Sequence, residues 1–311
     1  MHAMRKIVFA GSASPNVARA IAQKNGYRIG KSEKTVFSNS ELKMTVLEKV
    51  EDVHSIVVQS IVNPTNDNLV ELLFTIDALK REGATKVTLV IPYFGYARQD
   101  IQHLPGECVS INVIIKALEA LGCNKVITLD IHDEATAGVF TIPFRNVTVL
   151  PFMATLIRED IKLDLSTVVV GSPDQGGIER ARIFAQAFYG DKREHDVITI
   201  EKKRTLTQIH TSRPLELFGT VKDKTVILVD DVATSGGTVL HAAEVCYEHG
   251  AADVVAMVVH ADFALGVPMR IQKSTLSHWY TTNTIESTME DLAQFSKIST
   301  LDISSIISEN M

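Results

Sequence analysis

LKREGATKVTLV (79–90), LEALGCNKVITL (118–129) and CYEHGAADVVAM (246–257) share one local grammar. Each closes an amphipathic stretch, stops at a glycine, crosses a short polar or small-residue link and enters an apolar, β-branched run. Gly83, Gly122 and Gly250 hold the same place in the three segments. A helix end is where the left-handed conformation is needed, and glycine adopts it without a steric penalty. Helices that hand over repeatedly to short apolar strands are the pattern of a mainly parallel sheet flanked by helices, an α/β fold. Working outward, strands are expected at Lys6–Ala10, Ser55–Ile61, Lys86–Pro92, Lys125–Asp130, Thr167–Ser172, Asp196–Ile200, Thr225–Asp230 and Val254–His260. Ser14 and Pro15 read as the cap and first turn of the first helix, and Gly26 as its stop.

At 311 residues the chain is longer than one core comfortably serves, so two domains are expected. The repeated unit on both sides of the chain's middle fits two similar halves, although any helix-to-strand connection reads the same way. The boundary falls where the strand-like VTVLP (147–151) gives way to a helical pattern, dividing the chain into 1–148 and 149–311. The tail 291–311 is polar and serine-rich, and its pattern does not place it. Apolar residues make up 45% and charged residues 22%, the net charge is −6, and no run of five Lys or Arg occurs. This is the composition of a globular protein, and it argues against a nucleic-acid or anionic-membrane surface. Three cysteines without a CxxC pair read as reduced thiols. The apolar run Ile7–Ala10 is too short for a signal sequence and no segment is long enough to cross a bilayer, so a cytoplasmic location is expected.

In parallel α/β sheets ligands gather at the carboxyl ends of strands. VILVDDVATSGGT (226–238) ends such a strand in Asp230 and Asp231, then turns through Thr234, Ser235, Gly236, Gly237 and Thr238 into a helix. Backbone N–H groups and hydroxyls at a helix start cradle phosphate, yet neither a Walker lysine nor GxGxxG is present. The carboxylates would repel phosphate unless they meet sugar hydroxyls or a metal ion. A phosphorylated polyol reconciles loop and acids; a capping turn with solvated acids is the plainer alternative. SPDQGGIERAR (172–182) repeats the design with Asp174, where an acid also complements the helix dipole. DIHDE (130–134) closes another strand and offers Asp130, His132 and Asp133 as ligands for a divalent cation, with strand alternation turning Asp130 and His132 to one face. PYFGYARQD (92–100) sets Arg98 and Gln99 beside three aromatics, and FSNSE (37–41) offers Phe37 for stacking with Asn39 and Glu41 for hydrogen bonds. Core packing and a simple turn explain those two stretches equally well. EKKR (201–204) is the densest positive patch at a strand end, either solvated charge or a neutraliser of a transferring phosphoryl group.

In this order, FSNSE, NDNLVELL, PYFGYARQD, DIHDEATAGVFTIP, SPDQGGIERAR, EKKR and VDDVATSGGT resemble the ribose-phosphate pyrophosphokinase family over nearly the whole chain. The last loop is shared with phosphoribosyltransferases at large, so the set, not the loop, separates the groups. The resemblance implies two similar type I phosphoribosyltransferase-like domains and an oligomer, commonly a hexamer. It implies Mg2+-assisted transfer of a diphosphoryl group from ATP to ribose 5-phosphate, giving phosphoribosyl pyrophosphate and AMP for nucleotide biosynthesis. By matching positions, Lys202 and Arg204 are catalytic, and His132 and Asp174 are metal-associated. Phe37, Asn39, Ser40, Glu41, Arg98 and Gln99 match the ATP site, with the 37–41 loop lent by a neighbouring subunit. Arg204, Asp230, Asp231, Thr234, Ser235, Gly236, Gly237 and Thr238 match the ribose 5-phosphate site.

Some positions depart from the family pattern. Many bacterial members carry Asp where this chain has Thr234 and Glu201, and LPGECVS (104–110) replaces a more basic segment. These features look closer to the archaeal type, and they leave phosphate activation and ADP inhibition open. Two other functions compete. A phosphoribosyltransferase would explain the 226–238 loop but not PYFGYARQD or EKKR; a non-catalytic synthetase-associated subunit would call for damaged catalytic positions.

Overall fold

The computed structural model describes residues 4–190, 195–202, 215–286 and 291–311. Its elements run β1 (Lys6–Ala10), α1 (Pro15–Asn25), β2 (Arg28–Ile29), β3 (Ser32–Val36), β4 (Leu42–Val46), β5 (His54–Val58), α2 (Thr65–Arg81), β6 (Lys86–Ile91), α3 (Ser110–Ala120), β7 (Lys125–Leu129) and β8 (Phe144–Val147). They continue with α4 (Leu150–Ile161), β9 (Val168–Ser172), α5 (Ile178–Tyr189), β10 (Ile198–Lys202), β11 (Leu215–Phe218), β12 (Thr225–Ala233), α6 (Gly237–Glu248), β13 (Asp253–Ala261), α7 (Val267–Lys273), β14 (His278–Thr282), β15 (Ile298–Leu301) and α8 (Ser304–Glu309). Two compact units result. One comprises Met1–Thr148, Asn283–Ser287 and Asp302–Met311, the other Val149–Thr282 and Thr288–Leu301.

The first unit is built on a parallel six-stranded sheet in the order β2-β1-β5-β6-β7-β8, with β3 and β4 forming a separate antiparallel hairpin. Ile7, Phe9, Val57, Val87, Leu89 and Val126 line one sheet face and meet Leu72, Ile76 and Leu79 of α2 and Ile115 and Leu118 of α3. Side chains of this size, buried whole, stabilise by about 2 kcal/mol each.

The helix-to-strand grammar has a common geometry. Gly83, Gly122 and Gly250 have φ of 85°, 90° and 86°. After each glycine the next residue donates its N–H to the carbonyl five positions back: Ala84 to Leu79, Cys123 to Leu118 and Ala251 to Cys246, at 3.0, 3.2 and 3.0 Å. Tyr27, after Gly26, does the same to Ala22 at 2.8 Å. This closure satisfies carbonyls that a helix end would otherwise leave open.

The start of α1 differs from the sequence reading. The Ser14 side chain makes no capping bond; its Oγ accepts the Ser60 N–H at 2.9 Å. The first-turn N–H groups of Asn16 and Val17 instead donate to the Glu286 carboxylate at 2.8 and 2.6 Å. A carboxylate there both satisfies donors and complements the helix dipole. Residues 302–311, which sequence alone did not place, belong to the first unit. There Arg145 Nη1 donates to the Asn310 carbonyl at 3.2 Å.

The second unit is built on a seven-stranded sheet in the order β11-β10-β9-β12-β13-β14-β15, parallel except where β10 meets β11. Val226, Leu228, Val254, Ala256 and Val258 pack with Val239, Ala242 and Cys246 of α6 and with the wholly buried Trp279. All eight expected strands are present; β1 has the expected ends, and the ends of the others differ by at most three residues. The others escaped for physical reasons. β2 has two residues and β8 and β11 four each, too few for a period. β14, HWYTT, carries no apolar run because Thr281 and Thr282 are buried with their hydroxyls donating to the Val259 carbonyl. VTVLP is not one strand: β8 stops at Val147, and α4 opens at Leu150 with proline in its first turn. Among the described residues no helix is long and apolar enough to cross a membrane.

Candidate active site

In the second unit β9 leads through α5 to β10 on one side, while β12 leads through α6 to β13 on the other. The two connections part between β9 and β12, and such a divergence opens a crevice at the carboxyl ends of the strands. β12 continues beside β13 as far as Ala233, while its pairing with β9 ends at Leu228. Asp230 and Asp231 therefore lie where the sheet has begun to split.

Both acids are buried, Asp230 at 8% and Asp231 at 3% exposure. Successive strand residues face opposite sides. Asp231 meets Arg180 of α5, with Oδ2 at 3.3 Å from Nη2. Its own N–H donates to Asp230 Oδ1 at 2.9 Å. Burial first, then the charges of Asp231 and Asp174, push the Asp230 carboxyl well above the usual range. Such a group gains from hydroxyl donors or a cation brought by a ligand, which is what sugar hydroxyls or a hard metal ion supply.

The following loop is anchored on its carbonyl side. The Ala264 N–H donates to the Thr234 carbonyl at 3.0 Å, and Arg270 Nη1 donates to the Ser235 carbonyl at 3.2 Å. Thr234, Ser235 and Thr238 stay exposed. Gly236 has φ 68°, and a Cβ there would sit 3.3 Å from Val267 Cγ1, so strain and crowding both favour glycine. α6 then runs for 12 residues from Gly237, its N-terminal end beside the exposed hydroxyls.

The SPDQGG turn faces this loop across a cavity of about 550 Å3 lined by Pro173–Gly176, Ile200, Glu201, Gly237, Thr238 and His241, a volume typical of small-molecule sites. Asp174 Oδ1 accepts the Gly177 N–H at 3.1 Å, so one oxygen serves the start of α5. Sequence reading gave His241 no role and named Glu201 only as a departure from the family. The signal for His241 was its position, three residues beyond Thr238 on α6 and hence on the same helix face. Lys202 is the last residue of β10; its side chain, with Lys203 and Arg204, lies outside the described residues.

In the first unit, the FSNSE stretch is the tip of the β3–β4 hairpin. The Phe37 N–H donates to the Glu41 carbonyl at 2.8 Å, the Ser40 N–H to the Phe37 carbonyl at 2.9 Å, and the Glu41 N–H to Asn39 Oδ1 at 3.2 Å. Ser40 takes the left-handed conformation at φ 69°, and Phe37 is 47% exposed. The hydrogen-bonded turn thus presents a half-exposed ring. Arg98 and Gln99 are exposed after β6, where Gln99 Oε1 accepts from Ser110 Oγ at 2.5 Å. Among the described residues no hydrogen bond joins the tip to Arg98 or Gln99.

Of the aromatics in PYFGYARQD, Phe94 is core, set edge-on to Phe140 with centroids 6.4 Å apart. Gly95 admits no side chain: a Cβ would stand 2.2 Å from the Ile61 carbonyl oxygen. Gly95→Ala is therefore expected to destabilise by about 3 kcal/mol in urea denaturation, with unchanged stability the outcome against it.

The expectation that Asp130 and His132 share a strand face does not hold, because β7 ends at Leu129 and Asp130 turns to φ 34°. Asp130 is buried, His132 half-buried, and Asp133 caps a short 3-10 turn through the Ala135 N–H at 2.8 Å. His132 belongs to the first unit and Asp174 to the second. Among the described residues no three His, Cys, Asp or Glu side chains stand together as metal ligands. Mg2+ commonly takes only one or two carboxylates and shares the substrate's phosphates. Asp174, exposed at the start of α5, offers an oxygen donor of the kind it takes. Cys108 is exposed and Cys123 and Cys246 are buried, none in a disulfide.

Known proteins resemble this chain over nearly its whole length. A family model described as the N-terminal domain of ribose phosphate pyrophosphokinase matches residues 6–122. Another, described as a phosphoribosyl synthetase-associated domain, matches residues 176–311. The ribose-phosphate pyrophosphokinase of Marinomonas sp. (strain MWYL1) is 37% identical over 305 residues, covering 97% of this chain and 93% of that protein. Its counterpart in Clostridium tetani is 34% identical over 302 residues, 97% of this chain and 92% of that protein. The crystal structure of phosphoribosylpyrophosphate synthetase from Mycobacterium smegmatis matches with a TM-score of 0.89 at 29% identity, over 98% of this chain and 97% of that one. Likeness in motif order, fold and sequence over nearly the full length leads to one conclusion: the chain belongs to the ribose-phosphate pyrophosphokinase family.

Proposed function

We propose that the protein joins ATP and ribose 5-phosphate, yielding phosphoribosyl pyrophosphate and AMP for nucleotide biosynthesis. The observation that carries this reading is the pair of buried acids behind an exposed Thr-Ser-Gly-Gly-Thr loop at the split of the second sheet. Loop and acids suit opposite ends of one phosphorylated pentose. Thr234, Ser235, Gly236, Gly237 and Thr238 hold the 5-phosphate with N–H and hydroxyl donors, and Asp230 and Asp231 accept from the ring hydroxyls. The anomeric oxygen attacks the β-phosphorus of ATP and loses its proton, while the bond from that phosphorus to the α-phosphate bridging oxygen breaks and AMP leaves. The protein's part is alignment and charge neutralisation.

Lys202 and Arg204 meet the charge developing on the transferred group. Phe37 stacks on the adenine, with Asn39, Ser40, Glu41, Arg98 and Gln99 completing the ATP site across a subunit boundary of a homo-oligomer, in the family a hexamer. His132 and Asp174 are the metal-associated side chains, and Asp174's exposure suits it to that role. When bound, Mg2+ supplies countercharge to the ATP phosphates. The two phosphoribosyltransferase-like domains are taken as 1–148 and 149–311, with the returning segments 283–287 and 302–311 joining the first. A cytoplasmic location goes with substrates of this class.

The likeness of residues 176–311 to a phosphoribosyl synthetase-associated domain favours one second reading, a non-catalytic synthetase-associated subunit. One assay separates the two. The pure protein, given ATP, Mg2+ and ribose 5-phosphate across a range of phosphate concentrations, should release AMP and phosphoribosyl pyrophosphate in equal amounts. No AMP under any condition would leave the associated-subunit reading standing; release of AMP requires catalysis.

A further inference from the structure

The β3–β4 hairpin stands apart from the six-stranded sheet, and none of its ten strand residues is fully buried. A two-stranded hairpin without a core is marginal by itself in water, so something must hold it. One tie is the contact of β4 with α2. A second is ionic and half-buried. Lys34, at the centre of β3 and paired in register with Met44, reaches α2, where its Nζ donates to Glu71 Oε2 at 2.7 Å. The Glu71 side chain is only 3% exposed. Its carboxylate is further fixed by the Ser12 N–H, donating to Oε1 at 2.8 Å, and by the Ser12 hydroxyl, donating to Oε2. Lys34 Nζ also donates to Ser12 Oγ at 3.3 Å. Ser12 lies in the turn between β1 and α1, so the contact joins hairpin, helix and main sheet at one point. From Lys34 the strand runs only two residues further before the Phe37–Glu41 tip.

We propose that the Lys34–Glu71 ion pair is the strut that sets the hairpin's pose, and that both are positioning residues for the nucleotide. This rests on the reading that the tip touches ATP. Neither side chain reaches the reacting atoms; they act through where Phe37, Asn39 and Glu41 are held. Loss of the strut leaves the turn intact but lets the hairpin move, so nucleotide affinity falls while the chemical step and the sugar site do not. Glu71 keeps its two bonds from Ser12 when Lys34 is removed, which is why Lys34→Met, matching the lysine in length, is the gentler variant.

The test compares wild type, Lys34→Met, Glu71→Gln and the double variant as full chains. Each single change should raise KM for ATP about tenfold, with kcat and KM for ribose 5-phosphate within about twofold. The double variant should be no worse than either single, since both remove one interaction. Amide hydrogen exchange supplies a readout independent of activity: protection at residues 32–46 should fall while that of β5, β6 and β7 is kept. Unchanged hairpin exchange in Lys34→Met overturns the strut. Faster exchange with an unchanged KM for ATP in an active enzyme overturns the nucleotide role and leaves the pyrophosphokinase function intact. A uniform loss of kcat and of both affinities would show a merely structural contact, and overturns the proposal too. If the wild type itself releases no AMP, the functional reading fails, and the nucleotide half of the proposal with it, while exchange still decides the strut.

Discussion

Asparagine in place of Asp230 is expected to give a more stable ligand-free protein and a much poorer enzyme. Asp230 is buried at 8% exposure, and burial, then the charges of Asp231 and Asp174, raise its carboxyl well above the ordinary 3.8. The folded chain therefore holds this proton more tightly than the unfolded chain does. Its contribution to stability is full below the unfolded value and is lost as pH climbs through the raised folded value. An amide of nearly the same shape carries no charge at any pH. Asp230→Asn should thus raise the melting temperature at pH 7, and its stability should fall less than the wild type's as pH rises from 4 to neutrality. The function runs the other way. Hydrogen bonds to a charged acceptor are worth roughly 1.5–3 kcal/mol, so losing the charge should raise KM for ribose 5-phosphate by about 10–100-fold. A variant that melts lower at pH 7 would show that the buried charge is already compensated. Unchanged sugar affinity would remove Asp230 from the hydroxyl site.

Lys202→Ala is expected to cut turnover by about 100- to 1000-fold, the usual effect of removing one donor to a developing charge. Lys202 ends β10, and the two residues before it, Ile200 and Glu201, line the cavity between the SPDQGG turn and α6. In the proposed role the Lys202 cation answers charge arising during transfer, when the ground-state sugar has no need of it. Affinity for ribose 5-phosphate, measured by calorimetry without ATP, should therefore change by less than about threefold, since a group that acts in the transition state adds little to ground-state binding. Near-normal turnover would refute the role. Equal losses in turnover and sugar binding would make Lys202 part of the sugar site instead.

Much of the fold was legible because its determinants are local. Three glycines at equivalent helix ends announced the α/β handover, and each adopts the same left-handed closure. The strands that escaped notice are short or polar, like β14, where buried threonines satisfy their hydroxyls on a neighbouring strand's carbonyl. The VDD turn was legible as a strand end passing into a helix, since an apolar run, two acids and a glycine turn follow one another in the chain. His241 went unassigned because nothing next to it in sequence marks it; only the helix face it shares with Thr238 brings it to the cavity. The Asp130–His132 pairing failed for a related reason: strand alternation was extended past the residue where the backbone turns away.

By itself the sequence determined what depends on neighbours along the chain: where helices stop, which runs become strands, the order of motifs and the chemistry of each turn. Tertiary structure alone decided what depends on residues meeting from far apart. It caps α1 with Glu286 rather than Ser14, returns residues 302–311 to the first unit, and braces the FSNSE hairpin through Glu71. It also raises the Asp230 carboxyl, chiefly by burying it, with the charges of Asp231 and then Asp174 adding to the effect. Periodicity and backbone conformation are local properties, whereas burial and electrostatics are sums over everything the folded chain brings near.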